Sequence, residues 1–221
     1  MKAIRTLLFA LLLTTGLRAQ YFEGTIRYEV EVTGEQAQQF AAFMPSYIEY
    51  TYGEESVRVR SDAAMMNDLL LRNDEGSAYV MMPSQKRAMR IRSDDEGAAR
   101  AKENIKIEET DERRVIAGHN TRKYLVTMKD PVGGMTQNQE IWATTDLKVR
   151  KPEGSAAAGA NLLLDGIDGV PLQFTTSSTM FTMRVTAGEL KPGKPDAAEL
   201  RVPADYTVED FDPTKILGGG R

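Results

Sequence analysis

Apolar and polar residues alternate along most of the chain, which is the pattern of β-strands with one buried and one solvated face. In the clearest case, 24–32, Ile26, Tyr28 and Val30 alternate with charged residues. Turn sequences such as 73–76 separate these segments, so consecutive strands are expected to pair as antiparallel hairpins. The other predicted strands are 48–52, 57–60, 69–72, 78–82, 89–92, 105–110, 114–117, 123–128, 140–144, 170–175, 181–186 and 199–202.

Three segments depart from this period of two. Apolar residues in 35–44 have the spacing of one helical face, and Pro45 favours a helix that ends near residue 44. The residues of that face are Ala37, Phe40, Ala41 and Met44. A serine and a glutamate at capping-box spacing predict a short surface helix over 94–103. The small, apolar segment 154–165 fits either a flexible loop or a short buried helix.

The N-terminal segment 1–19 has the pattern of a cleavable signal peptide. Two basic residues precede an apolar run at 7–13, and Ala19 is the small residue expected before the cleavage site. The run is too short to cross a bilayer, which takes roughly 20 apolar residues, so a membrane anchor is the weaker interpretation. The sequence therefore predicts export to the periplasm or secretion, with 20–217 as one domain and 218–221 as a flexible tail.

Composition narrows the chemistry that the chain can perform. It has 28 basic and 32 acidic residues, a net charge of −4, and loss of the signal peptide would remove three basic residues and give −7. A negative chain is a poor nucleic-acid binder, because phosphate contacts need clustered Lys and Arg. The absence of cysteine excludes disulfides, thiol nucleophiles and cysteine metal sites. No cofactor is predicted.

Four short motifs occur in order along the second half of the chain. They are Ile116-Ala117-Gly118 with Lys123-Tyr124, Glu140-Ile141-Trp142-Ala143-Thr144 with Leu147, Gly169-Val170-Pro171-Leu172, and Val202-Pro203-Ala204-Asp205-Tyr206. Together they resemble an uncharacterised family of exported bacterial proteins, related in fold to the periplasmic lipoprotein carriers with the LolA-like half-barrel. The resemblance implies an α+β fold, in which a strongly curved antiparallel sheet carries helices, at 35–44 and 155–164, on its concave face.

Carriers of that fold hold acyl chains between the sheet and the helices. The resemblance therefore favours a non-catalytic binding or carrier protein for a hydrophobic or amphipathic ligand such as lipid. Aromatic and methionine side chains of the strands and helices are the candidate ligand-binding residues: Tyr28, Phe40, Met44, Tyr50, Met81, Met89, Tyr124, Trp142, Leu163, Phe181 and Met183. The alternative is a structural or interaction module of the cell envelope, with a filled core and a protein or glycan partner.

Few residues could carry other chemistry. His119, the only histidine, lies in a predicted turn, and the chain has no Gly-x-Ser-x-Gly nucleophile elbow, so no enzymatic activity is predicted. Thioether clusters could bind Cu(I), although methionine also fills irregular apolar space. These clusters are Met65-Met66, Met81-Met82 and Met180 with Met183. The basic residues at 86–92 predict either a solvated face or a docking patch for anionic head groups.

Overall fold

The computed structural model describes residues 21–37, 39, 43–64, 67–92, 99, 103–129, 136–151, 166–178 and 180–211. Some of the predictions fall outside these ranges and stay predictions. They are the signal peptide at 1–19, most of the helix at 94–103, the segment 154–165, the tail at 218–221, and the side chains of Phe40, Met65, Met66 and Leu163.

The described residues form one twelve-stranded sheet. Its strands are β1 Gly24–Thr33, β2 Tyr47–Tyr52, β3 Ser56–Ser61, β4 Asp68–Arg72, β5 Ser77–Met82, β6 Arg87–Arg92, β7 Ile105–Ile116, β8 His119–Lys129, β9 Thr136–Thr144, β10 Val170–Ser177, β11 Thr182–Pro192 and β12 Thr207–Asp210. Their order across the sheet is β12-β6-β5-β4-β3-β2-β1-β11-β10-β9-β8-β7. Neighbours are antiparallel except β12, which pairs in parallel with β6. The predicted hairpin meander is confirmed.

The predicted α+β class is wrong, because the described part of the chain is nearly all β and carries no helix on a concave face. Its one helical element with defined bounds is the 3-10 turn Pro83–Gln85. The predicted helix 35–44 is described only in part: Ala37 and Gln39 are helical and each donates its N–H to the carbonyl three residues earlier, and the rest of that helix stays a prediction. Phe43 is 77% exposed. Within the described ranges apolar residues recur mostly with a period of two, so strands dominate the fold.

Alternation along β1 defines the two faces and the two ends of the sheet. Ile26 and Tyr28 are fully buried on one side, the inner face, whereas Arg27 points to the other side, the outer face. The strand runs from the Gly24 end of the sheet to the Thr33 end. Antiparallel pairing places the β2–β3 turn at the Gly24 end and the connection between β8 and β9 at the Thr33 end.

The length of the chain between β6 and β7 requires the sheet to curl. These strands are ten strand spacings apart in the sheet, which corresponds to about 48 Å if the sheet were flat. Residues 93–104 connect them and span at most about 45 Å when fully extended. The connection must also run from Arg92 at the Gly24 end to Ile105 at the Thr33 end. The two sides of the sheet are therefore closer together than they would be in a flat sheet.

The inner face holds the main hydrophobic core. Its cross-strand pairs include Tyr50 opposite Ile26 on β1 and opposite Val59 on β3. The rings of Tyr28 and Tyr50 pack edge to face, with 5.5 Å between their centroids. Fully burying one such side chain contributes roughly 1.5–3 kcal/mol. The most buried members of this core are Ile26, Tyr28, Tyr52, Val57, Leu71, Val126, Ile141, Ile167, Val170, Leu172 and Val185.

A second, smaller core lies on the outer face, beneath the segment 193–206. Leu70, Tyr79, Met81 and Ala88 form it, and Val202 and Tyr206 of that segment pack against it. Arg58 fixes the segment by donating Nη1–H to the Glu199 carbonyl at 2.7 Å. The same guanidinium forms a bidentate, buried ion pair with Asp68. The prediction of a strand at 199–202 is wrong, because these residues form a turn and irregular structure, and the last strand is β12.

Candidate functional site

The structure divides the predicted ligand-binding residues between two faces. Five of them lie on the inner face: Tyr28, Tyr50, Met89, Tyr124 and Met183. Two lie on the outer face, namely Met81 and Trp142. Met44 and Phe181 are half-buried and lie at the Thr33 end, just before β2 and β11. Only the inner-face group and the two end residues could share one ligand.

Burial changes along the inner face. At the Gly24 end and in the middle of the strands, side chains such as Ile26, Tyr28 and Leu172 are 0% exposed. Other apolar side chains of the same face are only half-buried, and most of them lie toward the Thr33 end. They are Val30, Val32, Ile48, Ile105, Ile107, Met128 and Met183, together with Val59, Leu69 and Met89, which are level with Ile26. The sheet thus presents a partly open apolar surface, the Thr33-end surface, above a closed core.

Three tyrosines form part of the closed core below this surface. Tyr50 stacks on Tyr52 with 5.9 Å between the ring centroids, and the Tyr28 hydroxyl donates to the Pro171 carbonyl at 2.9 Å. Burial raises the pKa of all three hydroxyls well above the ordinary value for tyrosine. Tyr28 and Tyr50 raise the pKa of Tyr52 further, whereas Tyr50 raises that of Tyr28 and a hydrogen bond with Tyr52 lowers it by less. The core beneath the Thr33-end surface is therefore uncharged at any physiological pH, which suits contact with hydrocarbon.

One polar pair lies on the inner face among these apolar residues. Gln139 of β9 is directly opposite Thr176 of β10, and the two side chains are 3% and 8% exposed. Neither Gln139 Oε1 nor Thr176 Oγ1 has a hydrogen-bond partner. A buried polar atom without a partner costs about 1–3 kcal/mol. Sequence analysis missed this pair, because Gln139 lies in a polar run at 136–140 in which burial leaves no signal.

Trp142 is covered by cations on the outer face. The Arg114 guanidinium lies 3.8 Å from the ring centroid and Lys123 Nζ lies 5.9 Å from it. Arg114 also donates to Gln173 Oε1. Desolvation, and to a smaller extent the charge of Arg184, lower the pKa of Arg114. Trp142 therefore belongs to a cation–π cluster and not to the Thr33-end surface.

Grooves lined by described residues also lie away from the Thr33-end surface. One of about 290 Å³ crosses the outer face of β7–β10, between Leu125, Glu140 and Thr175. Two others, of about 250 and 210 Å³, lie at the Gly24 end and are lined mainly by polar and charged residues. His119 is near the second of these, with Nδ1 at 3.5 Å from Asp146 Oδ2. That this chain has no enzymatic activity stays a prediction.

The methionines of the described strands do not converge on one point. Met81 is in the outer-face core, whereas Met183 is on the inner face, and their strands are five positions apart in the sheet. Met180 is 43% exposed in a turn. Within the described ranges, no group of three or more His, Asp or Glu could hold a metal ion. These positions favour methionine as core and surface filler over Cu(I) binding.

Among the residues that the structure describes, none belongs to a helix of the length and hydropathy needed to cross a bilayer. No family model matches the chain, and no curated protein matches it. The resemblance to exported proteins with a LolA-like fold is therefore not confirmed by a family and stays a prediction.

Two solved structures of mycobacterial proteins are similar to the chain. The lipoprotein LppX from Mycobacterium tuberculosis has 10% identity and a TM-score of 0.37, with 76% of this chain and 86% of that chain covered. LprF from Mycobacterium bovis has 12% identity and a TM-score of 0.34, with coverages of 84% and 90%. Identity and superposition are both too low to transfer a function. The function proposed below depends on the residues of this chain.

Proposed function

We propose that this protein is an exported, non-catalytic binding or carrier protein for a hydrophobic or amphipathic ligand such as lipid. The ligand binds at the Thr33-end surface. The observation that carries the proposal is the pattern of burial: the apolar inner face combines a set of fully buried side chains with a set of half-buried ones, most of which lie toward the Thr33 end. Large contiguous apolar surface is uncommon on monomeric proteins unless it binds something.

The chemistry of this surface fits an acyl chain. Its side chains are aliphatic or thioether, and methionine adapts to ligands of variable shape. Two ion pairs of the central strands β1, β2 and β11 lie on the outer face. Arg27 Nη1 is 3.9 Å from Glu49 Oε2, and Arg184 Nη1 is 3.4 Å from Glu31 Oε2. The signal-peptide pattern at 1–19 supports work outside the cytoplasm, where apolar molecules need a carrier between membranes.

Binding can be measured with a fluorescent apolar probe. The purified protein is titrated with 1-N-phenylnaphthylamine, and hexadecanoic acid is then used to displace the dye. Native mass spectrometry after gentle purification reports any lipid that co-purifies. We expect dye binding at micromolar concentration, displacement by the fatty acid, and near-stoichiometric lipid in the native spectrum.

A charge placed on the Thr33-end surface should weaken this binding. Ile48→Lys puts an ammonium group on the half-open apolar surface, and desolvation of that charge should weaken dye affinity at least about tenfold. Thr25→Lys is the matched control, since Thr25 is on the outer face of the neighbouring strand. Equal loss in both variants, or no dye or lipid bound by the unmodified protein, would overturn the proposal and favour the interaction-module alternative.

A further inference from the structure

Two of the three unpaired buried polar atoms of the described residues lie side by side on the inner face and point to a feature of the ligand, whereas the third, Tyr52 Oη, lies in the closed core at the Gly24 end. Gln139 Oε1 is an acceptor, whereas Thr176 Oγ1 can both donate and accept. The two residues are cross-strand neighbours, which places their Cβ atoms about 5 Å apart. One small polar group between them could therefore reach both atoms.

Apolar residues surround the pair on the inner face. Gln139 is opposite Val126 on β8, and Thr176 is opposite Met183 on β11. Phe174 and Ile141, two residues away on the same strands, are buried. Any group that satisfies the pair is thus embedded in hydrocarbon contacts, in the region where the proposed ligand binds.

A hydroxyl group fits both atoms better than an amide does. It can donate its hydrogen to Gln139 Oε1 and accept one from Thr176 Oγ1, whereas an amide N–H can only donate. The position of the pair along its strands limits where the hydroxyl can lie in the ligand. Thr176 is one residue from the end of β10, and Gln139 is three residues, or about 10 Å, from the start of β9. The hydroxyl therefore binds close to the open end of the site.

We propose that the ligand is an acyl chain with a hydroxyl group near its polar head, and that Gln139 and Thr176 select it over a plain chain. This inference rests on the proposed function, because it assigns the specificity of the same site. The hydroxyl bridges the two side chains, and the remaining hydrocarbon contacts the Thr33-end surface.

The test compares two acids of equal length, hexadecanoic acid and 3-hydroxyhexadecanoic acid, as competitors of the bound dye. We expect the hydroxylated acid to bind about three- to tenfold more tightly, as one or two net hydrogen bonds predict. The variant with Gln139→Leu and Thr176→Val should lose this preference, so that the two acids bind it equally. Thr175→Val, on the outer face of the same strand, should keep the preference.

Folding and hydroxyl position are controlled separately. The single variants Gln139→Leu and Thr176→Val should each reduce the preference, and neither should lower the unfolding midpoint, because each removes an unsatisfied buried polar atom. 12-hydroxyoctadecanoic acid should gain little over octadecanoic acid, since its hydroxyl is far from the head.

Two negative results have different meanings. If both 16-carbon acids displace the dye and their affinity ratio is the same in the unmodified protein and the double variant, the hydroxyl assignment fails and the carrier function stands. If neither acid displaces the dye, the proposed function fails, and the assignment fails with it.

Discussion

Tyr28, Tyr50 and Tyr52 show how single residues set the chemistry of the inner face. They are 0%, 4% and 1% exposed, and burial raises the pKa of each hydroxyl above its ordinary value. An ionised phenolate in this core would be a charge without a counter-ion, so the folded protein requires the neutral form. The Tyr28 hydroxyl also joins β1 to β10 through the Pro171 carbonyl.

These tyrosines predict a loss of stability at alkaline pH. In the unfolded chain a tyrosine ionises near pH 10, whereas the folded-state pKa is raised. The stabilisation is therefore complete below about pH 10 and is lost as the pH rises toward the folded pKa, by about 1.4 kcal/mol per pH unit for each tyrosine. Urea unfolding at pH 8 to 11 should show this fall in the free energy of unfolding.

Tyr50→Phe is the matched variant for this prediction. It removes one ionisable group and should reduce the fall between pH 10 and 11 by about a third of the tyrosine contribution. Absorbance at 295 nm supplies the second readout, because the three core tyrosines should ionise only with unfolding. Ionisation of all eight tyrosines near pH 10 in a protein that stays folded would contradict the prediction.

Among the strands, those with strict alternation could be predicted from the sequence and their faces assigned. β1 and β8 follow the predicted 24–32 and 123–128, and each has one buried and one exposed face along most of its length. In β9 the alternation stops, because the residues from Ile141 to Thr144 are all buried. Trp142 then points outward beneath Arg114, and no period in the sequence distinguishes it from its neighbour.

The outer-face segment 193–206 was not predictable from local pattern. It has turns in place of a period and contributes Val202 and Tyr206 to the second core at irregular spacing. Its contacts are with strands more than 100 residues earlier, such as the bond from Arg58 to the Glu199 carbonyl.

The second core predicts that this segment stabilises β4, β5 and β6. In the variant with Val202→Ala and Tyr206→Ala, loss of the covering side chains exposes Leu70, Tyr79 and Met81 to water. We expect a fall of about 2–5 kcal/mol in the free energy of unfolding and faster hydrogen exchange in β4–β6 than in β8–β10. Val208→Ala, at a 43% exposed site on β12, is the control and should change neither quantity much. Uniform exchange across the whole sheet would contradict a local role.

At the scale of the whole molecule, the protein is an open sheet with β12 and β7 at its two edges. β12 has four residues, and its carboxylates pair with β6, where Asp210 lies 2.6 Å from Arg90 Nε. β7 has twelve residues, and no described strand pairs with its outer edge. Such an edge offers unpaired N–H and C=O groups to a second chain. Its exposed side chains are mostly charged, which discourages pairing between copies.

The charges of β7 therefore predict the oligomeric state of a variant. Glu108→Val with Glu112→Val replaces two exposed carboxylates of the edge by a β-branched apolar residue, which favours strand pairing. We expect concentration-dependent dimers or larger species by size-exclusion chromatography with light scattering at about 100 μM, where the unmodified protein keeps one mass.

The control is Glu29→Val with Glu31→Val on β1. It makes the same change on the outer face of a strand that has a neighbour on each side, so it adds apolar surface without a free edge. Association of both variants to the same extent would attribute the effect to apolar area, and a monomeric edge variant would show that β7 needs no charged residues for protection.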